Sequence, residues 1–232
     1  MENLANLFGS PTIVTRGSNA AQFGSFPSDQ IHPVESIGAQ QGCSHCVRKD
    51  SVTDASDADD IAVLLFTSGS TGHSKAVEFT HRQLIRSVQA KKQQHDLHSD
   101  VNFMSWTSFD HSANFCELHL NAMYVGANQY SINATDLVHE PHRLFDVVSK
   151  YRIGYTFSPN SFLAAASKSW NQEDRRKQEY DFSDLKVVMV GGEANRVSTM
   201  ETANHIFTSY GAASNPIKAA YGLSEVCHAC PK

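Results

Sequence analysis

The segment Thr67-Ser68-Gly69-Ser70-Thr71-Gly72-His73-Ser74-Lys75 concentrates hydroxyls, two glycines and a lysine in one short stretch. Glycine lets a backbone turn tightly and approach a ligand closely. Consecutive N–H groups in such a turn form an anion-binding concavity, to which hydroxyls and an ammonium add donors and positive charge. That inventory suits a polyphosphate. The spacing is not that of a Walker A loop, which needs Gly at 74 and Ser or Thr at 76, where Ser74 and Ala76 stand. Nor does it follow the G-x-G-x-x-G or G-x-S-x-G patterns. On composition alone, a flexible Ser/Thr/Gly loop is the competing reading.

Four further segments carry reactive or polar groups after short apolar runs. They are Ser105-Trp106-Thr107-Ser108-Phe109-Asp110-His111-Ser112, Phe157-Ser158-Pro159-Asn160-Ser161-Phe162, Gly191-Gly192-Glu193-Ala194-Asn195 and Tyr221-Gly222-Leu223-Ser224-Glu225. Taken singly, Glu193 and Glu225 read as surface acids, Tyr221 as a core aromatic and Lys75 as a solvated cation. His111 reads either as pocket lining or as a packed ring. Two CxxC pairs, Cys43/Cys46 and Cys227/Cys230, suggest zinc at first sight, with His45 and His228 inside them. About 180 residues separate the pairs, against ~15–20 in common zinc knuckles, and Cys116 makes the cysteine count odd. Reduced thiols are expected rather than a metal site or a disulfide framework.

The elements that must position these groups alternate along the chain. Ile61 to Phe66 reads as a buried strand, and Thr80-His-Arg-Gln83 as a capping box opening a helix with Leu84, Ile85 and Val88 on one face. Val101 to Trp106 is predicted as a strand and Glu117 to Tyr124 as part of a helix. Pro141 suits a first helical residue, followed by the stripe Leu144, Phe145, Val148 and Tyr151. Tyr155 to Phe157, Lys186 to Val190 and Ile217 to Tyr221 are strand-like, and Met200, Ala203, Ile206 and Phe207 mark a helix. This β–α alternation predicts an α/β fold, a mostly parallel sheet flanked by helices. Gln40 to Asp60 reads as a polar linker, and Lys168 to Asp184, rich in both charge signs around Trp170, as a solvated insertion.

Composition narrows the function class. Of 232 residues, 41% are hydrophobic and 19% charged, enough for a sizeable core. The net charge is −5, so there is no basic field of the kind that binds nucleic acid. The longest apolar runs fall far short of the ~20 residues that span a bilayer. The Met1-Glu2-Asn3-Leu4 start lacks a basic stretch and an apolar signal core. A soluble, cytoplasmic protein is expected.

Thr67 to Lys75 after a strand, preceded by Asp59-Asp60, resembles the signature loop of the AMP-binding, adenylate-forming superfamily. That group holds acyl-CoA synthetases, peptide-synthetase adenylation domains and luciferase-like ligases. The Gly191-Gly192-Glu193 and Tyr221-Gly222-Leu223-Ser224-Glu225 segments resemble later motifs of the family, in the family's order. The Ser105–Ser112 and Phe157–Phe162 segments are similar to those of the fungal peptide-synthetase-like branch, which has a single adenylation module. One departure is Ser74, which stands where the family's loop usually has Pro before Lys75. The resemblance covers residues 55–232 well and 1–50 weakly. It divides the chain into an N-terminal partial βαβ segment with a polar linker, 1–54, and an AMP-binding core, 55–232. The fold it implies is part of the large N-terminal domain of an adenylate-forming enzyme.

The implied activity is ATP-dependent activation of a carboxylic acid as an acyl-adenylate for thioester formation. Thr67, Ser68, Gly69, Ser70, Thr71, Gly72 and Lys75 would hold the β- and γ-phosphates. Ser224 would meet the α-phosphate and Glu225 would ligate Mg2+, a hard ion usually shared with phosphates. Tyr221 and Gly222 would lie near adenine, while Gly191, Gly192 and Glu193 would line the nucleotide and acyl pockets. Asp110 and His111 would face the acid, without deciding among amino, keto and aryl acids. CoA or a phosphopantetheinyl carrier domain is the implied acceptor. No segment resembles the family's ribose-binding Asp or its mobile C-terminal subdomain with the catalytic lysine. The chain is therefore expected to be the middle of a larger adenylating domain, cut at both ends, with the activity in truncated form and short of full turnover, completed by a partner chain or by further sequence. The alternatives are a catalytically silent fragment with at most weak nucleotide binding and a zinc-dependent binding protein.

Overall fold

The computed structural model describes residues 13–24, 26–33, 36, 57–67, 75–172, 179–222 and 230–231. The chain divides into two compact units, Met1–Ala55 and Ser56–Lys232. In the first unit, strands β1 (Ile13–Thr15) and β2 (Ile31–Pro33) pair in parallel, Ile13 opposite Ile31. The connection between them carries two 3-10 turns, Gly17–Phe23 and Ser28–Gln30.

The second unit begins with a hairpin. Strand β3 (Ile61–Thr67) runs antiparallel to β4 (Lys75–Thr80), with Thr67 opposite Lys75. The expected buried strand is a half-buried one. Among the described residues it pairs with β4 alone; Leu65 and Phe79 are buried while Ile61 is 54% exposed. Thr80 then caps helix α1 (His81–His95) through the expected box: its side chain accepts the Gln83 N–H and its own N–H donates to the Gln83 side chain. The predicted helix face is narrower than expected. Val88 is buried and Leu84 packs against the hairpin core, but Ile85 is 47% exposed.

Five strands follow: β5 (Asn102–Ser105), β6 (Gln129–Ser131), β7 (Ile153–Ser158), β8 (Val187–Val190) and β9 (Ile217–Tyr221). They pair in parallel in the order β6-β5-β7-β8-β9, and β10 (Cys230–Pro231) adds an antiparallel edge on β9. The expected parallel α/β sheet is thus present. The crossovers carry a π turn (Ala113–His119) continuing into α2 (Leu120–Val125), then α3 (Ala134–His139), α4 (Arg143–Lys150), α5 (Asn160–Gln172) and α6 (Val197–Ser209).

Strand alternation, offset by the register shift between the Asn102–Ile153 and Phe103–Tyr155 pairs, sorts the core into two layers. Met104, Ile153, Val188, Val190 and Ile217 pack with α3 to α6 residues such as Leu137, Phe145, Leu163 and Phe207. Phe103, Tyr155, Phe157, Val187 and Met189 face Leu97, Leu118 and Ala122. Both faces are covered, which is why β7 and β8 are buried along their whole length.

Three local expectations differ from the structure. Pro141 precedes α4 by two residues, its carbonyl accepting the Leu144 N–H, and His142 occupies the N-cap. The helix expected over Glu117 to Tyr124 begins as a π turn. Lys168 to Asp184 is not simply a solvated insertion: Trp170, Tyr180 and Phe182 are buried, with Trp170 4.7 Å from both the Phe145 and Tyr180 rings. Their aromatic area outweighs the charge around them. Among the described residues, no helix is long and apolar enough to cross a membrane.

Candidate functional site

The four parallel strands β5, β7, β8 and β9 end on the same side of the sheet, and each of four sequence-flagged segments leaves from one of those ends. Strand order adds a further constraint. From β5 the chain steps outward to β6, then returns to the other side of β5 as β7. The crevice between the ends of β5 and β7 is thus a topological switch point, where open α/β sheets bind ligands. Trp106 closes its floor, donating from Nε1 to the Phe157 carbonyl at 3.0 Å, with its ring 4.3 Å from that of Phe162.

The loop after β5 is tied to itself. Asn114 Nδ2 donates to the Thr107 carbonyl at 2.6 Å, and the Ser108 hydroxyl donates to the exposed Asp110 carboxylate. His111 Nδ1 accepts the Ala113 N–H at 3.1 Å, which puts the proton of a neutral ring on Nε2. Phe109, 53% exposed, meets the Phe115 and His119 rings edge-on at 5.5 and 4.7 Å.

The loop after β8 needs its glycines for different reasons. A Cβ on Gly191 would stand 2.7 Å from the Ala220 carbonyl oxygen of β9, while Gly192 has φ +79°. Asn195 closes the loop by donating Nδ2 to the Val190 carbonyl at 2.9 Å. Glu193 is exposed and accepts the Ser161 N–H of α5, and hydrogen bonding from Ser161 holds its carboxyl below the usual range. At the end of β9, Tyr221 is 72% exposed, against the reading of a core aromatic. Gly222 follows it.

Lys75 lies on the separate hairpin, exposed, as the first residue of β4 and in register with Thr67. The hairpin's base is fixed by Arg82, whose guanidinium forks onto Asp59 at 2.7 and 3.0 Å. Ser68, Gly69, Ser70, Thr71, Gly72, Ser224 and Glu225 lie outside the described residues, as do Cys43, Cys46 and Cys227. Among the described residues, no three His, Cys, Asp or Glu side chains could together hold a metal ion.

One polar cluster has no counterpart in the sequence reading. Lys91 of α1 and Glu117 of the π turn form an ion pair of 2.6 Å behind the β5 loop. Tyr155 of β7 is a further hydrogen-bonding neighbour of that carboxylate. Burial pushes Glu117 up to about 7 against the opposing pull of Lys91, and it raises the Tyr155 phenol too. The signal was available. Leu84, Val88 and Lys91 fall at i, i+4 and i+7, so the lysine completes the buried stripe of α1.

Comparison with known proteins gives a family match over nearly the whole chain. The family described as AMP-binding enzyme matches residues 10–231. A nonribosomal peptide synthetase of Ascocoryne sarcoides is 34% identical over 227 residues, covering 97% of this chain and 24% of the relative. The chain therefore spans about a quarter of that relative's length. Among solved structures, the adenylation domain of a keto acid-selecting nonribosomal peptide synthetase module, bound to keto acyl adenylate, superposes with a TM-score of 0.82. It is 23% identical, over 98% of this chain and 40% of its own. McyG A-PCP complexed with phenylalanyl-adenylate gives 0.84 at 20% identity, over 98% and 36%. These two likenesses establish the shared fold.

Proposed function

Since the chain belongs to the AMP-binding enzyme family, we propose that it supplies the nucleotide- and acid-binding core for ATP-dependent formation of an acyl-adenylate. The observation that carries this reading is the convergence of the Asp110–His111, Gly191–Glu193 and Tyr221–Gly222 segments at one end of a parallel sheet, beside its switch point. In the reaction a carboxylate oxygen bonds to the α-phosphorus of ATP, the bond to the bridging oxygen breaks, and pyrophosphate leaves. Catalysis of that displacement is chiefly alignment and stabilisation of charge.

The residues present fit a nucleotide. Tyr221 offers an open aromatic face for adenine. Gly191 lets the loop after β8 lie directly against the Ala220 carbonyl of β9, the strand that ends at Tyr221. Lys75 offers an exposed ammonium at the hairpin end, where Thr67 to Gly72 would donate to the β- and γ-phosphates. Asp110 and His111 would orient the acid. Ser224 would donate to the α-phosphate and Glu225 would hold Mg2+, which neutralises phosphate charge when bound. A carrier domain bearing phosphopantetheine, or CoA, is the proposed acceptor, in keeping with the A-PCP composition of one structural neighbour. We place the protein in the cytoplasm, where ATP is supplied.

ATP–pyrophosphate exchange with a panel of amino, keto, aryl and fatty acids tests the proposal, alongside calorimetric titration with ATP. Acid-dependent exchange is expected. No exchange for any acid, with weak ATP binding or none, would overturn the proposal in favour of the silent-fragment reading.

A further inference from the structure

Burying charge is costly, and a buried ion pair is often no more stable than an apolar pair of the same volume. Lys91 and Glu117 are such a pair, their side chains 6% and 1% exposed. They join two segments that matter to the site. Lys91 lies on α1, which starts directly after the strand opened by Lys75. Glu117 lies in the π turn that starts directly after the Asp110-His111-Ser112 loop.

A π turn widens the helical register, and its carbonyls need partners outside the ordinary ladder. The Cys116 carbonyl receives Lys91 Nζ at 3.5 Å and Asn121 Nδ2 at 3.2 Å, and the Glu117 carbonyl receives Asn121 Nδ2 at 2.9 Å. From β7, Tyr155 backs the Glu117 carboxylate. From α1, His95 meets the Tyr155 ring at 5.6 Å, and Lys218 of β9 is the further charge acting on His95. The ammonium of Lys91 thus binds both the side chain and the backbone of the turn, which an apolar residue cannot do.

We propose that the Lys91–Glu117 pair, backed by Tyr155, is a positioning device that fixes where the Asp110–His111 loop stands relative to the hairpin carrying Lys75. It touches neither acid nor nucleotide. It acts by holding the turn on which the acid-facing loop is built to the helix that continues the phosphate-facing strand. The inference rests on the adenylation reading for its purpose, though not for its geometry.

The test replaces the pair by Lys91→Met with Glu117→Met, beside the single variant Glu117→Gln, in the full chain. The double variant is expected to unfold at the wild-type urea concentration and to bind ATP within about twofold of wild type. Its backbone amides over residues 107–119 are expected to exchange hydrogen at least about tenfold faster. The KM for the acid found in the exchange panel should rise about tenfold, with the KM for ATP unchanged. Wild-type amide protection together with wild-type acid KM in a stable double variant overturns the inference, because the pair is then packing alone. Should the double variant not fold, Glu117→Gln carries the same comparison, since glutamine keeps the shape and a hydrogen bond but not the charge. If the wild-type chain neither binds ATP nor supports exchange, the adenylation reading falls. The amide exchange over 107–119 then still decides whether the pair positions the loop.

Discussion

The Glu193 carboxylate accepts the backbone N–H of Ser161, so the loop after β8 caps the first turn of α5. The first N–H groups of a helix have no internal partner, and a carboxylate is well suited to that end of the helix dipole. The contact joins two of the strand-end loops and explains why the Glu193 carboxyl is held below its usual range. A depressed carboxyl contributes stability above its unfolded pKa and loses it as pH falls through the folded value. Glu193→Gln is therefore expected to cost about 1 kcal/mol at pH 7. The difference from wild type should shrink on acidification below the unfolded value of 4.5. Urea unfolding on both sides of that pH checks it; an equal loss at both would remove the charge from the explanation.

Gly191 is expected to be far less replaceable than Gly192. A Cβ at 191 would press on the Ala220 carbonyl oxygen within the β8–β9 ladder, so Gly191→Ala should cost about 2–4 kcal/mol through backbone displacement. At 192 the nearest atom to a new Cβ is Phe157 Cζ at 3.7 Å, and only the positive φ is penalised, so about 1 kcal/mol is expected. Unfolding midpoints of the two variants measure the contrast, which would disappear if the ladder opens without cost.

Tyr221 is 72% exposed, so its replacement should leave stability nearly unchanged. Under the proposed adenine contact, Tyr221→Ala should weaken ATP binding by about tenfold and Tyr221→Phe much less, since stacking needs only the ring. Calorimetric titration of the three proteins distinguishes these. Equal affinities would place adenine elsewhere.

Lys75→Ala combined with Glu225→Ala is expected to abolish measurable ATP binding, because under the proposed function the first would face phosphate and the second Mg2+. Titration with ATP and Mg2+ reads the outcome directly. Unchanged affinity would mean that neither residue faces the nucleotide.

Glu117 gives the fold a pH dependence of its own. Its folded pKa is raised to about 7 from an unfolded 4.5, so the native protein holds a proton that the unfolded chain releases across that interval. Stability from this group is complete below pH 4.5 and declines as pH rises towards 7. Glu117→Gln should flatten that decline, by an amount of order 1–3 kcal/mol over the interval. Urea midpoints at intervals across that range test it; parallel curves for variant and wild type would assign the dependence to another group.

The parallel strands were legible because β8 is apolar on both faces and β7 carries Ile153, Tyr155 and Phe157 among small residues, and the capping box at Thr80 because its partners are local in sequence. The hairpin was harder. Ile61 to Phe66 has the composition of a central strand, and only the tertiary arrangement sets it in a hairpin with β4. Trp170, Tyr180 and Phe182 were masked by surrounding charge, since an aromatic among Glu, Arg and Lys carries no periodic signal. At the candidate site the motif residues at the strand ends were all readable as segments. The ties between segments, Trp106 to Phe157, Glu193 to Ser161 and Lys91 to Glu117, span 51, 32 and 26 residues and leave no local pattern.

The switch-point crevice divides the candidate site among separate strands. The loops after β5, β7 and β8 each lead into a helical segment, and these segments pack in two cores on opposite faces. Among the described residues β5 pairs with β6 and β7, so no ladder hydrogen bond joins the strand before the Asp110 loop to the strands before Glu193 and Tyr221. Under the proposed function, the loop that would face the acid and those that would face the nucleotide then stand on separate strands, joined by the ties of Trp106 to Phe157 and of Glu193 to Ser161.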